Sequence, residues 1–445
     1  VCMVDIGHSN NYEIVCGAPN VKSDIHVPVA AIGSELNNGD FKIKKTKIRG
    51  VVSHGMICSG RELTYNDDHE GILILDTKEK LGTPIEEIIN FPEDVSFNLD
   101  LTPNRGDCLS HLGVARELGI LTNQRVRRKK IDLEENGDKT SDSISINIDA
   151  PDACPRYVTR IIKGVKVGSS PNWLVERLES IGLKSINNVV DAANYVLMNS
   201  GHPMHTFDLD KMNGSTINVR FAKKGEKFIT LDDVERKLDD FHLLICDEKK
   251  PVALAGIMGG LHSEISDITT NVLLESAYFD PTVIRKGAKK LDLSTEASRR
   301  FERDTDMEAV IPAIDELAYL IHKVAGGTIL KGIVDVYPKN IQKNPINFSK
   351  ENCNSLLGIN LKEKDFDEIF KLLQINVEKN KNSLLCSIPS FRNDLDREVD
   401  LCEEVARIVG YDNIPSANQF SGSFSSFVND KQNLDDIFRY HLRSA

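Results

Sequence analysis

What this sequence lacks narrows it at once. It has no run of about 18 apolar residues, so no membrane-spanning helix is expected. The opening Val1-Cys2-Met3-Val4-Asp5 has no basic stretch followed by an apolar core and is not a signal peptide. The chain does not begin with methionine, and its last residues run into an uncompleted helical pattern, so it reads as a fragment cut at both ends. The nine cysteines are scattered singly with no Cys-x-x-Cys pair, which disfavours a cysteine-based zinc site or a thioredoxin-like redox site. They read as small buried apolar residues in a reducing, cytoplasmic compartment. There is no internal repeat, no low-complexity block, no dinucleotide fingerprint and no P-loop.

The 445 residues present allow about three domains at ~150 residues each. A hydrophobic share of 40% and a charged share of 27% are those of a globular protein, not a disordered or collagen-like one. Asp and Glu outnumber Lys and Arg by 67 to 55, a net charge of −12, which argues against bulk, sequence-blind binding of nucleic acid and leaves room for a local basic surface.

Along the chain, the expected fold class is multidomain α+β. Residues 1–92 read as short strands between turns, with apolar runs at 25–31 and 71–75; Pro28 makes the first an edge strand at best. In 41–50, Phe41, Ile43 and Ile48 alternate with Lys42, Lys44, Lys45, Lys47 and Arg49. A strand there could put apolar groups on one face and cations on the other, with a slip at Lys44-Lys45. That face is either simply solvated or a phosphate-contacting rim. Residues 93–142 hold a helix through Leu109, Leu112, Ala115 and Leu118, capped by Asp107, and then a polar linker over 125–142. Residues 143–337 form the largest unit, mixed α and β, with a strand over 143–148 and helices over 171–183 and 312–324. A small α+β unit covers 338–415, with helices around Phe366–Leu373 and Glu398–Val409. Residues 416–445 start a further segment with Leu434, Ile437, Phe438 and Leu442 at helical spacing.

Several constellations could carry chemistry. Asp400, Glu403 and Glu404 share one helix face, and Asp394 precedes that helix. Four converging carboxylates repel one another by about 1 kcal/mol per pair at 4 Å even in water, and a hard divalent cation would relieve this. The alternative is a solvated acidic face. His202 and His205, around Pro203, are three apart; a zinc pair lacks a third ligand, and a loop histidine orienting water or a hydroxyl is the better functional reading. The glycines of 255–260 fit a close backbone approach. Glu275 lies in the apolar run 271–279 on the strand face of Leu273 and Ala277, so if that face is buried it needs either a basic partner or a polar ligand group. Thr295 and Ala297 could line a pocket wall beside Arg299, Arg300 and Arg303.

These residues, in this order, resemble bacterial phenylalanyl-tRNA synthetase β subunits over essentially the whole chain. Ile14-Val15-Cys16-Gly17-Ala18-Pro19-Asn20-Val21, Phe41–Lys45 and Gly55–Ser59 are similar to the tRNA-binding OB-fold, here an N-terminally truncated, partial β-barrel. Leu101–Cys108 follows as a B1-like segment. Asn187–Asp191, Pro203–His205, Ala253–Gly260 and Thr295–Ser298 are similar to the B3/B4 editing domain. Pro389–Arg392, Asp394 and Asp400–Tyr411 are similar to the B5 domain.

The resemblance implies hydrolysis of tyrosine wrongly esterified to tRNA(Phe), with His205, Glu275 and Thr295 acting and Gly259, Ala297 and Pro203 shaping the substrate pocket. Glu275 would meet the tyrosine phenol, since a phenylalanine pocket cannot strongly reject an analogue that merely adds a hydroxyl. Lys42, Lys44, Lys45, Lys47 and Arg49 would contact tRNA. Asp394, Asp400, Glu403 and Glu404 would hold Mg²⁺ shared with an α subunit in an α₂β₂ heterotetramer. That α subunit would use ATP, which this fragment is not expected to bind, and no membrane is implied. Two departures stand beside the pocket: Asp292 and Ser294 replace the usual Gly and His, and Asp304-Thr305-Asp306-Met307 replaces Gly-Val-Asp-Pro. They keep open a non-enzymatic tRNA-binding or assembly module with a decayed pocket. A free-standing deacylase is the other alternative, against which the B5-like unit argues.

Overall fold

The structure, a computed structural model, describes residues 1–7, 11–36, 41–65, 68–89, 95–128, 130–339, 341, 343–380, 383–416 and 430–444. It divides into two compact units, Val1–Phe97 and Asn98–Ala445.

The first unit is made of short antiparallel pairs. Cys2–Val4 pairs with Tyr12–Ile14, Val29–Ala31 with Gly55–Ile57, Glu35–Leu36 with Phe41–Lys42, and Thr46–Ile48 with Val51–Ser53. Among the described residues these ladders do not join into one closed barrel. Ile14, Ile57 and Ile72 form one small core, and Ala30, Leu36, Ile43 and Cys58 another. The expected amphipathic strand over 41–50 is instead two strands broken at 43–45. Only Ile43 goes inside; Phe41 is 51% and Ile48 40% exposed. The run 71–75 is no strand either: Leu75 makes a lone bridge to His26, and pairing resumes only after Pro28, which has no N–H to give.

The second unit contains two large sheets. The six-stranded sheet runs Met204–Asp208, Asn271–Tyr278, Arg156–Lys163, Thr328–Lys331, Glu135–Lys139, and Val334–Val336 also pairs with Arg156–Lys163. The five-stranded sheet runs Ser145–Ile148, Thr216–Phe221, Leu243–Cys246, Pro251–Leu254, Met258–Gly259. Tyr157, Ile161, Phe207 and Leu273 of the first sheet share a core with Ile217, Val219, Leu244 and Val252 of the second. The opposite face of the six-stranded sheet packs Val158, Ile162, Val272 and Leu274 against the helices Asn188–Ser200 and Val310–Ala325. Its central strands are therefore buried on both faces, and 156–162 and 272–278 are buried at every position, polar residues included. Each fully buried aliphatic side chain contributes about 1.5–3 kcal/mol.

Local chemistry sets the element ends. Asn187 accepts the N–H groups of Val189 and Val190 to start the helix Asn188–Ser200, which stops at Gly201 with φ 77°. The helix expected from Asp107 begins at His111 and is capped by Ser110, whose Oγ accepts the Gly113 N–H; Asp107 instead pairs with Arg105. Part of the expected linker is sheet: Glu135–Lys139 runs parallel to Thr328–Lys331, and Glu135 is tied to Arg160 at 2.5 Å.

Residues 346–413 add a three-stranded sheet, in the order Ile346–Phe348, Leu384–Ser387, Asn376–Lys379. The helices Lys350–Leu357, Glu363–Leu372 and Glu398–Val409 accompany it. Phe348, Phe366 and Phe370 centre its core. Among the described residues no helix is long and apolar enough to cross a membrane.

Candidate functional site

The strand Asn271–Tyr278 carries a carboxylate into the core between the two large sheets. Glu275 lies on the face of Leu273 and Ala277, as the alternation predicts, and is 6% exposed. Among the described residues no basic side chain bonds to it. Its carboxylate accepts a hydrogen bond of 2.9 Å from the phenol of Tyr157, a fully buried residue on the adjacent strand. Tyr157 pairs with Ala277, so it lies diagonal to Glu275 on one sheet face. Burial pushes the Glu275 carboxyl up to about 8, against the pull of the Tyr157 hydrogen bond. The group is therefore largely a neutral acid at pH 7. The sequence offered no local sign of Tyr157, because the contact exists only through strand pairing.

His205 is the direct cross-strand neighbour of Glu275. Its ring packs edge-on against Phe207, with centroids 4.5 Å apart. Loss of hydration pushes the imidazole down to about 4, so it is neutral at physiological pH. Gly259 closes over this ring: a Cβ there would lie 2.6 Å from His205 Cε1 and 3.0 Å from Leu231 Cδ1. Pro203 is buried just before the strand. Thr295 has a structural task. Its hydroxyl donates to the Ile257 carbonyl at 2.8 Å and accepts the Ser298 N–H, capping the helix Glu296–Phe301. Ala297, on that helix, packs against the core shared by Glu275's neighbours. Thus His205, Glu275 and Gly259 are brought together, while Thr295 holds the 257–259 segment to the helix.

Asp292 and Asp304 both adopt positive φ, 52° and 68°. Aspartate tolerates this region better than most residues. Asp292 and Ser294 are exposed.

The acidic residues near the end of the chain do not form a cage. Arg392, 2% exposed, pairs with Asp394 at 2.9 Å and with Glu404 at 2.7 Å. Glu404 also meets Arg407, and Arg407 reaches Glu117 at 2.5 Å. Burial opposes ionisation of Glu404, but hydrogen bonds from the two arginines hold it down to about 2. Asp400 pairs with Arg397 and accepts that residue's backbone N–H; Glu403 is exposed. With three carboxylates already neutralised by guanidinium groups, the four do not fit a divalent cation as a preformed set. Among the described residues the only three-ligand group within 4.8 Å is Asp107, Cys108 and Glu117, and Arg105 bonds to both carboxylates. His202 and His205 do not form a metal pair: His202 packs on Phe301 and His205 on Phe207.

In the first unit, Lys42, Lys44, Lys45, Lys47 and Arg49 are all exposed. Lys42 pairs with Glu35 at 2.9 Å. A cavity of about 660 Å³ in the same unit is lined by Val15–Pro19, Met56, Ile57, Ser59, Arg61 and Glu62, among others. It lies beside the 14–21 motif, and the basic residues do not line it.

Three family profiles match: a tRNA binding domain over residues 1–84, a B3/4 domain over 153–326 and a tRNA synthetase B5 domain over 346–411. The chain is 46% identical over 426 residues to a phenylalanine–tRNA ligase beta subunit of Geobacter sulfurreducens, covering 95% of this chain and 53% of that protein. It is 45% identical over 440 residues to the same subunit of Geobacter metallireducens, covering 99% and 55%. A solved N-terminal fragment of the phenylalanyl-tRNA synthetase beta subunit from Pyrococcus horikoshii overlaps 69% of this chain and 85% of that one, at 16% identity and a TM-score of 0.36; at that score the overlap fixes no detail of the fold. The chain spans about half the length of the curated relatives it matches. With all three profiles in order and 45–46% identity along nearly its whole length, the chain belongs to the phenylalanine–tRNA ligase beta subunit family.

Proposed function

We propose that this chain serves phenylalanine–tRNA ligase as part of its β subunit, and that residues 143–337 hydrolyse tyrosine misattached to tRNA(Phe). One observation carries the reading: Glu275, a buried and largely neutral carboxyl, stands beside neutral His205 under Gly259. A carboxyl in a dry site that must satisfy its hydrogen bonds discriminates strongly between a phenol and a bare ring. The tyrosine phenol would join the Glu275–Tyr157 pair; phenylalanine would bring nothing to it. Water then attacks the ester carbonyl, the bond to the ribose oxygen breaks, and that oxygen takes a proton. A neutral imidazole such as His205 accepts a hydrogen bond and can position the attacking water. Thr295 acts by fixing the segment that carries Gly259, and Ala297 and Pro203 act as pocket walls.

Aminoacylation with ATP falls to an α subunit in this proposal, in an α₂β₂ assembly in the cytoplasm. The first unit would supply the OB-type tRNA contact through Lys44, Lys45, Lys47 and Arg49, with Lys42 partly committed to Glu35. The B5-type domain would face the α subunit. Because Asp394 and Glu404 are held by arginines, no step here runs through Mg²⁺. The test is release of tyrosine and of phenylalanine from charged tRNA(Phe) by this chain and by a full β subunit with its α partner. Selective release of tyrosine is expected; release of neither ester by either protein would leave the non-enzymatic reading.

A further inference from the structure

Three adjacent strands of the six-stranded sheet place His205, Glu275 and Thr159 in one row. His205 pairs with Glu275, and Glu275 pairs with Thr159. Beyond Thr159 the row ends in Val334, an apolar residue. Directly opposed residues share a sheet face, so all of these side chains leave the sheet on the side of the shared core. Tyr157 and Ile161, two residues either side of Thr159, belong to that same core.

Thr159 is fully buried, and its hydroxyl has no hydrogen-bond partner among the described residues. Leaving a buried hydroxyl unmet is costly, and valine would fill nearly the same space without that cost. The neighbouring polar groups do not explain it: Glu275 accepts from Tyr157, and Thr159 Oγ1 reaches neither. A hydroxyl kept unpaired beside a neutral carboxyl is what a site needs if a polar group enters from outside and bonds to both.

We infer that the Thr159 hydroxyl is a specificity-determining contact of the Glu275 site, supplying a second hydrogen-bonding group to a ligand hydroxyl such as the phenol of an esterified tyrosine. The inference rests on the proposed hydrolysis of a tyrosyl ester and adds a recognition residue to it. Thr159 can donate and accept, so a phenol held between Thr159 and Glu275 would satisfy groups that a phenylalanine ring leaves unmet.

The test compares Thr159→Val and Thr159→Ser with the parent chain, using tyrosyl- and phenylalanyl-tRNA(Phe). Thr159→Val is expected to lower kcat/KM for the tyrosyl ester by about tenfold, with little change for the phenylalanyl ester, while Thr159→Ser keeps the parental preference. A merely structural threonine predicts otherwise: Thr159→Val would melt at the same or a higher temperature and keep the parental ester preference, and that result overturns the inference. Should the parent release neither ester, the hydrolytic reading fails by itself. Calorimetric binding of a non-hydrolysable 3′-tyrosylamide of adenosine still reads Thr159, with weaker binding by Thr159→Val expected. Equal binding by both, or none by the parent, overturns the inference as well.

Discussion

Glu275 and Tyr157 are joined by a hydrogen bond of 2.9 Å across 118 residues of chain, in a place water does not reach. An unfolded glutamate loses its proton near pH 4.3, whereas burial keeps the Glu275 proton up to about 8. Between those values the folded state binds more protons, so this group makes stability fall as pH rises, by up to about 1.4 kcal/mol per unit. His205 acts in the opposite sense. Burial lowers its imidazole to about 4 against about 6.5 unfolded, so its contribution is lost as pH falls through that interval. Glu275→Gln should therefore raise Tm relative to the parent at about pH 8 and change it little at about pH 5, and His205→Gln should flatten the acid limb. Thermal unfolding across this range checks both; parallel curves would mean that neither group is shifted.

Gly259→Ala should keep the fold and damage the site. The added methyl meets the His205 ring at 2.6 Å and Leu231 at 3.0 Å, so the ring must move. Overpacking of this kind costs about 1–3 kcal/mol. The expected outcome is a small drop in Tm with loss of most tyrosyl-ester hydrolysis. Unchanged hydrolysis would place the reaction away from His205.

Glu404→Ala should be among the most destabilising single changes in the 346–413 region. It leaves Arg392, nearly buried, with Asp394 alone and takes from Arg407 one of its two acids. Breaking a buried pair by removing one partner costs about 3–5 kcal/mol. The same network ties the helix Glu398–Val409 to Glu117 of the helix His111–Leu121, so Glu117→Gln should loosen that junction to a smaller degree. Urea unfolding reads the first effect and hydrogen exchange the second. A chelator should leave the parent's Tm in place; a clear fall on chelation would show that a cation shares these carboxylates.

Neutralising Lys44, Lys45, Lys47 and Arg49 together should weaken binding of tRNA and reduce its salt dependence. Removing one cation–phosphate pair lowers the slope of log K against log salt by about 0.7–0.9. Lys42→Ala should matter less, because Glu35 already engages Lys42. Filter binding at several salt concentrations measures both, and an unaltered slope for the multiple variant would move the tRNA interface elsewhere.

Much of this was legible in the residues, and the failures have physical causes. The alternation around Glu275 predicts its face, and the run 398–409 predicts its helix to the residue, because both patterns are local. Tyr157, the partner of Glu275, is set by strand order and so leaves no local mark. The acidic quartet looks like a metal cage only if its arginines are overlooked. Arg397 and Arg407 lie three residues from Asp400 and Glu404, a spacing that helix geometry makes visible, but Arg392 reaches Asp394 and Glu404 from a loop. The strand Glu135–Lys139, Glu-Asn-Gly-Asp-Lys, has little strand propensity; its parallel neighbour and Arg160 override the local preference. Phe41 and Ile48 point outward because the first unit's strands are too short to sustain one alternating face.

The most direct measurement is the ratio of tyrosyl- to phenylalanyl-tRNA(Phe) hydrolysis by the parent chain and by Glu275→Ala, which removes both the donor and the acceptor. Recognition of the phenol by Glu275 predicts clear selectivity for the tyrosyl ester in the parent and a ratio near one in the variant, with tRNA affinity unchanged. Equal selectivity in both would contradict Glu275 as the group that recognises the phenol.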